Sequence, residues 1–310
     1  MNELKPINQK KLFGLQGKFL DLIRLYNSNT YPNKLLLSGP KGLGKSTLAY
    51  HFINYVLSIS EKYKYNLDNF EINEENSSFK TILNSSNTNL ITIDIISGKK
   101  SIDISQIRDL ISNLNKSSFN NKPRFILIDN IELLNINSTN ALLKVLEEPN
   151  QNVFFILINN NKKILPTLLS RCINYKINLT NKETLDISSL LLGDKLDNLI
   201  NKDLLNYYFT PGTIYHLVKF SQQYKYDLKN LNLKEFLKIL IKENNYKKDP
   251  FMNYMIYHLI EFYFTKLNQS FSKKINEKYT YFLQRIFDTK TFNLDEEVLL
   301  LEFKNDILNG

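Results

Sequence analysis

Eight consecutive residues have the types and order needed to hold a phosphate chain. Gly39-Pro40-Lys41-Gly42-Leu43-Gly44-Lys45-Ser46 fits the pattern G-x-x-x-x-G-K-[ST]. The apolar run KLLLS at 34–38 reads as a strand before it, and residues 46–57 read as a helix after it. Gly39, Gly42 and Gly44 let backbone N–H groups turn inward around phosphate oxygens, and the helix adds the positive end of its dipole. Lys45 would neutralise β- and γ-phosphates. Ser46 would hold Mg²⁺, and Thr47 completes the set on that turn. The chain has only nine glycines, so three at this spacing are a signal rather than a product of composition.

A second acidic element is expected on an apolar strand. RFILID at 124–129 supplies it, and Asp129 is expected to reach Mg²⁺ through water. The next residue is Asn130, where ATPases of this broad class usually carry Glu to polarise the attacking water. An amide can hold a water but cannot take its proton, a loss of about 10²–10⁴ in rate. Glu132 is nearby in sequence but is expected to point elsewhere. The site is therefore expected to bind nucleotide and to split it poorly.

These groups need a scaffold, and the chain alternates strand-like and helix-like runs to provide one. Strands are expected at 34–38, 90–95, 124–129, 153–158 and 173–177. Helices are expected at 46–57, over the 3.6-period run from Ile104 to Leu114, and at 140–148, ended by Pro149. Short apolar strands between helices imply an α/β fold with a parallel sheet covered on both faces. Within helix 140–148, Asn137 or Ser138 is expected to cap, Ala141, Leu142 and Val145 to face the sheet, and Glu147 and Glu148 to sit at the exposed end. The polar stretch 60–89 reads as a surface excursion. Beyond residue 179 strand signals fade. Runs 185–192 and 214–220 read as helices of a small lid, and four amphipathic or apolar helices follow from about residue 231. The expected division is 1–178 for the nucleotide-binding core, 179–225 for the lid and 226–310 for an all-α C-terminal domain.

Composition narrows the class. No apolar run approaches the roughly 20 residues of a membrane span, and the N-terminus lacks the apolar core of a secretory signal, so no membrane partner and a cytoplasmic setting are expected. A single cysteine, Cys172, excludes an internal disulfide and a cysteine-based zinc site; it reads as a small apolar residue. The net charge of +9 comes from scattered lysines rather than a basic patch. Arginine occurs only at 24, 108, 124, 171 and 285. Lysine cannot reproduce the guanidinium fork, so each arginine invites a specific role.

Three stretches carry a family resemblance: LFGLQGKFLDLIRLY at 12–26, NINSTNALLKVLEEP at 135–149 and ILPTLLSRC at 164–172. Together with the phosphate loop they resemble the clamp-loader branch of the AAA+ ATPases, over residues 12–177. The resemblance implies an AAA+ core, a helical lid and a C-terminal oligomerisation collar. It implies that Ser170-Arg171-Cys172 is the trans-acting arginine motif, with Arg171 reaching a neighbouring subunit's ATP site. Such a finger is worth about 10³–10⁵ in rate; the plain alternative is a surface arginine in an intrasubunit ion pair. The resemblance also implies that Asn159 or Asn160 is the sensor position that orients water near a γ-phosphate.

Departures separate the subunit types. The motor subunits keep an acidic pair where this chain has Asp129-Asn130, carry a zinc module where it has no cysteine, and have an arginine in the lid. Here Thr210-Pro211-Gly212-Thr213-Ile214 resembles the turn into the sensor helix, and neither Thr213 nor Ile214 is arginine. The departures favour a delta-prime-type subunit of a bacterial DNA polymerase III clamp loader. It would assemble with gamma/tau and delta in a ring that loads the sliding clamp on primed DNA, with ATP and Mg²⁺ bound but little hydrolysis. The alternatives are a gamma/tau-like motor and a phosphate-loop kinase; the kinase leaves SRC and LLKVLEEP unexplained.

Overall fold

The computed structural model describes residues 4–96, 98–114, 120–147, 152–267 and 273–309. The chain divides into two compact units, Met1–Ile187 and Ser188–Gly310.

The first unit is built on five parallel strands: β1 (Lys34–Ser38), β2 (Leu90–Ile93), β3 (Arg124–Ile128), β4 (Val153–Asn159) and β5 (Ile173–Lys176). Their order is β2-β3-β4-β1-β5, so β5 is an edge. Helices alternate with them: α1 (Gln16–Asn27), α2 (Lys45–Ser58), α3 (Ser77–Leu83), α4 (Ile104–Leu114), α5 (Ile136–Glu147), α6 (Pro166–Leu169) and α7 (Asn181–Leu192), which runs across the boundary between units. The two-residue period of a strand separates the two cores. Leu35, Leu37, Phe125, Leu127, Ile156 and Ile158 join Phe19, Leu22, Leu48 and Phe52 of α1 and α2. Leu36, Ile126, Ile128, Phe155 and Leu157 join Ile107 and Leu110 of α4 and Leu142 and Leu146 of α5. Apolar runs without polar alternation are what a sheet covered on both faces demands.

Register brings the strand ends level. Ser38 pairs with Asn159, Ile93 with Ile128, and Ile128 with Leu157. The residues that follow each strand, Gly39, Asp94, Asp129 and Asn160, therefore emerge along one edge of the sheet, where α/β folds place their ligands.

Several expectations need correction. The second strand stops at Ile93 rather than residue 95. Helix α5 begins at Ile136, because Asn135 caps it: Asn135 Oδ1 accepts from Ser138 N at 2.8 Å. Ser138 is buried, and its hydroxyl donates to Ile102 O at 2.9 Å. On α5 it is Leu142 and Leu146 that are fully buried, with Ala141 and Val145 packed partly against the same cluster. The expected positions of Glu148 and Pro149 lie outside the described residues. Stretch 60–89 is not simply a surface excursion. Tyr65, Ile72, Phe79 and Ile82 are buried in the core around α2, and Asn76 caps α3 by accepting from Phe79 N at 2.7 Å.

Among its described residues the second unit is all-helical: α8 (Leu196–Leu199), α9 (Pro211–Tyr224), α10 (Leu233–Glu243), α11 (Pro250–Leu267), α12 (Lys273–Phe292) and α13 (Glu296–Phe303). A reciprocal capping box of Asn232 and Glu235 starts α10. Phe264, Phe282 and Phe303 join α11, α12 and α13, with ring centroids 5.5–5.9 Å apart. Thr210 caps α9, accepting from Thr213 N at 3.3 Å, and Ile214 is buried. Among the described residues no helix is long and apolar enough to cross a membrane.

Candidate functional site

The phosphate loop leaves β1 at Gly39 and enters α2 at Lys45. Gly39 has φ +155°, and a Cβ there would stand 2.4 Å from the carbonyl oxygen of Ile177, so only glycine follows this path. Gly42 and Gly44 also have positive φ, at 88° and 86°. Gly44 is the N-cap of α2, and no described side chain caps the helix. The first-turn N–H groups of a helix lack partners in its own ladder, the arrangement that receives an anion. Thr47 is half-buried on that turn.

Lys45 is buried, with 3% of its surface exposed. Its Nζ donates to Gly39 O at 2.8 Å, Pro40 O at 2.7 Å and Asn160 Oδ1 at 3.0 Å, which satisfies all three protons. Burial pushes its ammonium down to about 8; Asp129 and Glu132 oppose that shift and Lys41 adds to it. Ser46 Oγ donates to Asp129 Oδ2. Burial holds the Asp129 carboxyl above the usual range, against the Ser46 hydroxyl, with the charge of Asp94 adding to the rise. Ser46 and Asp129 thus offer adjacent oxygen donors of the kind Mg²⁺ takes, and the remaining ligands would come from phosphate and water. The residues fit a Mg²⁺-bound nucleoside phosphate. Among the described residues no cluster of three or more His, Cys, Asp or Glu could hold a metal unaided.

Of the two candidate asparagines, Asn160 reaches the loop. Asn159 closes its own turn, donating from Nδ2 to Lys162 O at 2.9 Å and accepting at Oδ1 from Lys162 N at 3.0 Å. Asn160 contacts Lys45, and its Nδ2 donates to Asn130 Oδ1 at 2.8 Å and Glu132 Oε1 at 3.0 Å. Glu132 does not point elsewhere: it turns back onto the site through a short 3₁₀ turn that follows Asn130, whose φ is +52°. Asp94, at the end of β2, accepts from Asn130 Nδ2 at 2.7 Å. Neither Asp94 nor Glu132 was singled out by the sequence as part of the site. A carboxylate one residue past an apolar strand is the signal that would have found Asp94.

Arg171 lies between α6 and edge strand β5. Its Nη2 donates to Glu147 Oε1 at 2.5 Å and its Nη1 to Thr167 O at 2.9 Å. The two side chains are 32% and 54% exposed, and an ion pair this open to solvent contributes about 0–1 kcal/mol. Cys172 is half-buried against the core, and burial pushes its thiol up to about 11; it is an inert packing residue.

Residues 16–181, just over half of the chain, match the family described as DNA polymerase III, delta subunit. The subunit delta' of Buchnera aphidicola subsp. Schizaphis graminum is 26% identical over 277 residues, 82% of each chain. The subunit gamma/tau of Mycoplasma genitalium is 27% identical over 200 residues. The present chain spans only 31% of that protein, and 47% of a Buchnera gamma subunit that is 28% identical over 180 residues. Among solved structures, a DNA polymerase III gamma-subunit-related protein of Thermotoga maritima overlays with a TM-score of 0.49 at 18% identity, covering 90% of this chain and 96% of that one. With a family match over more than half of its length, the chain belongs to the DNA polymerase III delta-subunit family of AAA+ clamp-loader proteins.

Proposed function

We propose that this chain is a delta-prime-type subunit of a bacterial clamp loader. It assembles with gamma/tau and delta in a ring that loads the sliding clamp on primed DNA. Its own phosphate loop holds ATP or ADP with Mg²⁺ through Lys45, Ser46, Thr47 and Asp129, and turns it over slowly. Its contribution to hydrolysis is Arg171, given to the ATP site of a neighbour. The core is 1–178, the lid 179–225 and the collar 226–310, and the setting is cytoplasmic.

One observation carries this reading. Arg171 stands beside the edge strand, held by a solvent-open ion pair to Glu147 and one bond to Thr167 O, while Asn130 stands where turnover needs a carboxylate. The amide cannot act as that base, a cost of about 10²–10⁴ in rate, and Glu132, though turned onto the site, is engaged by Asn160. The solvent-open contacts of Arg171 leave its guanidinium exchangeable for a neighbour's phosphate. The 82% two-way coverage with a delta' subunit supports the same choice. The test is co-expression with gamma/tau and delta, isolation of the ring, and measurement of ATP turnover with and without primed DNA and clamp. Failure to enter the ring defeats the proposal.

A gamma/tau-like motor is the second reading, favoured by the complete phosphate loop and by the gamma/tau relatives. Turnover by the purified chain alone, abolished by Lys45→Ala, would select it.

A further inference from the structure

A single hydrogen-bonded path runs across the carboxyl ends of the strands. Lys45 Nζ donates to Asn160 Oδ1 at 3.0 Å. Asn160 Nδ2 donates to Asn130 Oδ1 at 2.8 Å and to Glu132 Oε1 at 3.0 Å. Asn130 Nδ2 donates to Asp94 Oδ1 at 2.7 Å. Glu132 Oε2 also accepts from Asn160 N at 3.3 Å.

The direction of this path is fixed by its ends. An ammonium can only donate and a carboxylate can only accept. With Lys45 at one end and Glu132 and Asp94 at the other, both amides have one compatible orientation: nitrogen toward the carboxylates, oxygen toward Lys45. Asn160 therefore turns a carbonyl oxygen to the side where Lys45 stands. That oxygen cannot donate to a γ-phosphate, and its lone pairs repel phosphate oxygens. Offering the amide nitrogen instead requires a half-turn of the side chain and the loss of its bonds to Glu132 and Asn130. A diphosphate ends at the β-phosphate and asks nothing of Asn160.

We infer that Glu132 and Asn130 are specificity-determining residues: they lock Asn160 with its oxygen toward Lys45 and tune the pocket to nucleoside diphosphate over triphosphate. Asp94 is a positioning residue that acts through Asn130. The inference rests on the reading of this loop as a nucleotide site.

The test uses the full chain and calorimetric binding of MgADP and of the Mg²⁺ complex of β,γ-imido-ATP. The native chain binds the diphosphate tighter by about fivefold or more, the equivalent of one or two hydrogen bonds. Glu132→Ala with Asn130→Ala frees the amide and moves the ratio toward the triphosphate by about tenfold. In an Asn160→Ala background the same pair moves it by less than about twofold. Asp94→Ala, at the exposed far end where folding is undisturbed, moves it in the same direction by about twofold. A ratio that stays put in both variants overturns the inference, as does an equal shift without Asn160, since that would be the bare charge of Glu132. A native chain that binds neither nucleotide defeats the nucleotide reading itself, a distinct failure.

Discussion

Lys45 and Asn160, 115 positions apart, meet at 3.0 Å. The contact is possible because β1 and β4 are neighbours in register, Ser38 opposite Asn159. Parallel strands with level ends thus bring the loop lysine beside an asparagine that only the fold could choose over its neighbour.

Lys45→Ala is expected to remove nucleotide binding. Its ammonium is buried at a desolvation cost, and its removal leaves Gly39 O, Pro40 O and Asn160 Oδ1 without their donor, so each protein is compared with its own nucleotide-free unfolding. The native chain should gain about 2.7 kcal/mol of stability at MgADP one hundred times the dissociation constant, and the variant nothing. Thermal unfolding with and without MgADP measures both; an equal gain in the variant contradicts the role of Lys45.

Phe79→Ala should cost about 3–5 kcal/mol. Phe79 is 4% exposed in the core around α2, although stretch 60–89 is polar. Urea unfolding distinguishes this from a surface position, where a substitution is worth within about 0.5 kcal/mol.

Acid should destabilise the first unit through His51. The ring is buried, hydrogen-bonded to Tyr65 Oη at 2.7 Å and Gln9 O at 3.1 Å, and burial depresses it to about 4. An unfolded histidine titrates near 6.5, so its contribution is complete above that pH and declines as pH falls from about 6.5 to 4. The loss is about 2 kcal/mol by pH 5. Urea titrations at pH 7 and pH 5 measure it, and His51→Gln should flatten the difference; an unaltered slope in that variant contradicts the assignment.

What the sequence made legible is local. The strand, the glycine turn and the helix of the phosphate loop are contiguous, and the apolar runs of the sheet identify themselves by composition. Boundaries set by side chains were less visible: α5 starts one turn early because Asn135, rather than Asn137 or Ser138, accepts from the helix. Contacts between distant segments were not visible at all. Asp94 and Asn130 are brought together by β2–β3 pairing, and Glu132 is turned inward by a left-handed Asn130. The intrasubunit ion pair raised as the alternative for Arg171 is present, with a partner, Glu147, 24 positions away that the sequence did not name. The core role of Tyr65, Ile72, Phe79 and Ile82 was hidden by the polar residues between them.

The most direct test of a trans-acting Arg171 is Arg171→Lys in the isolated ring, with the phosphate-loop lysines of the other motor sites replaced so that only the neighbour served by Arg171 turns over ATP. Lysine keeps the charge and loses the fork. If Arg171 serves the neighbour, the ring stays intact and its DNA-stimulated turnover falls by about 10³. Native turnover in that ring would contradict it.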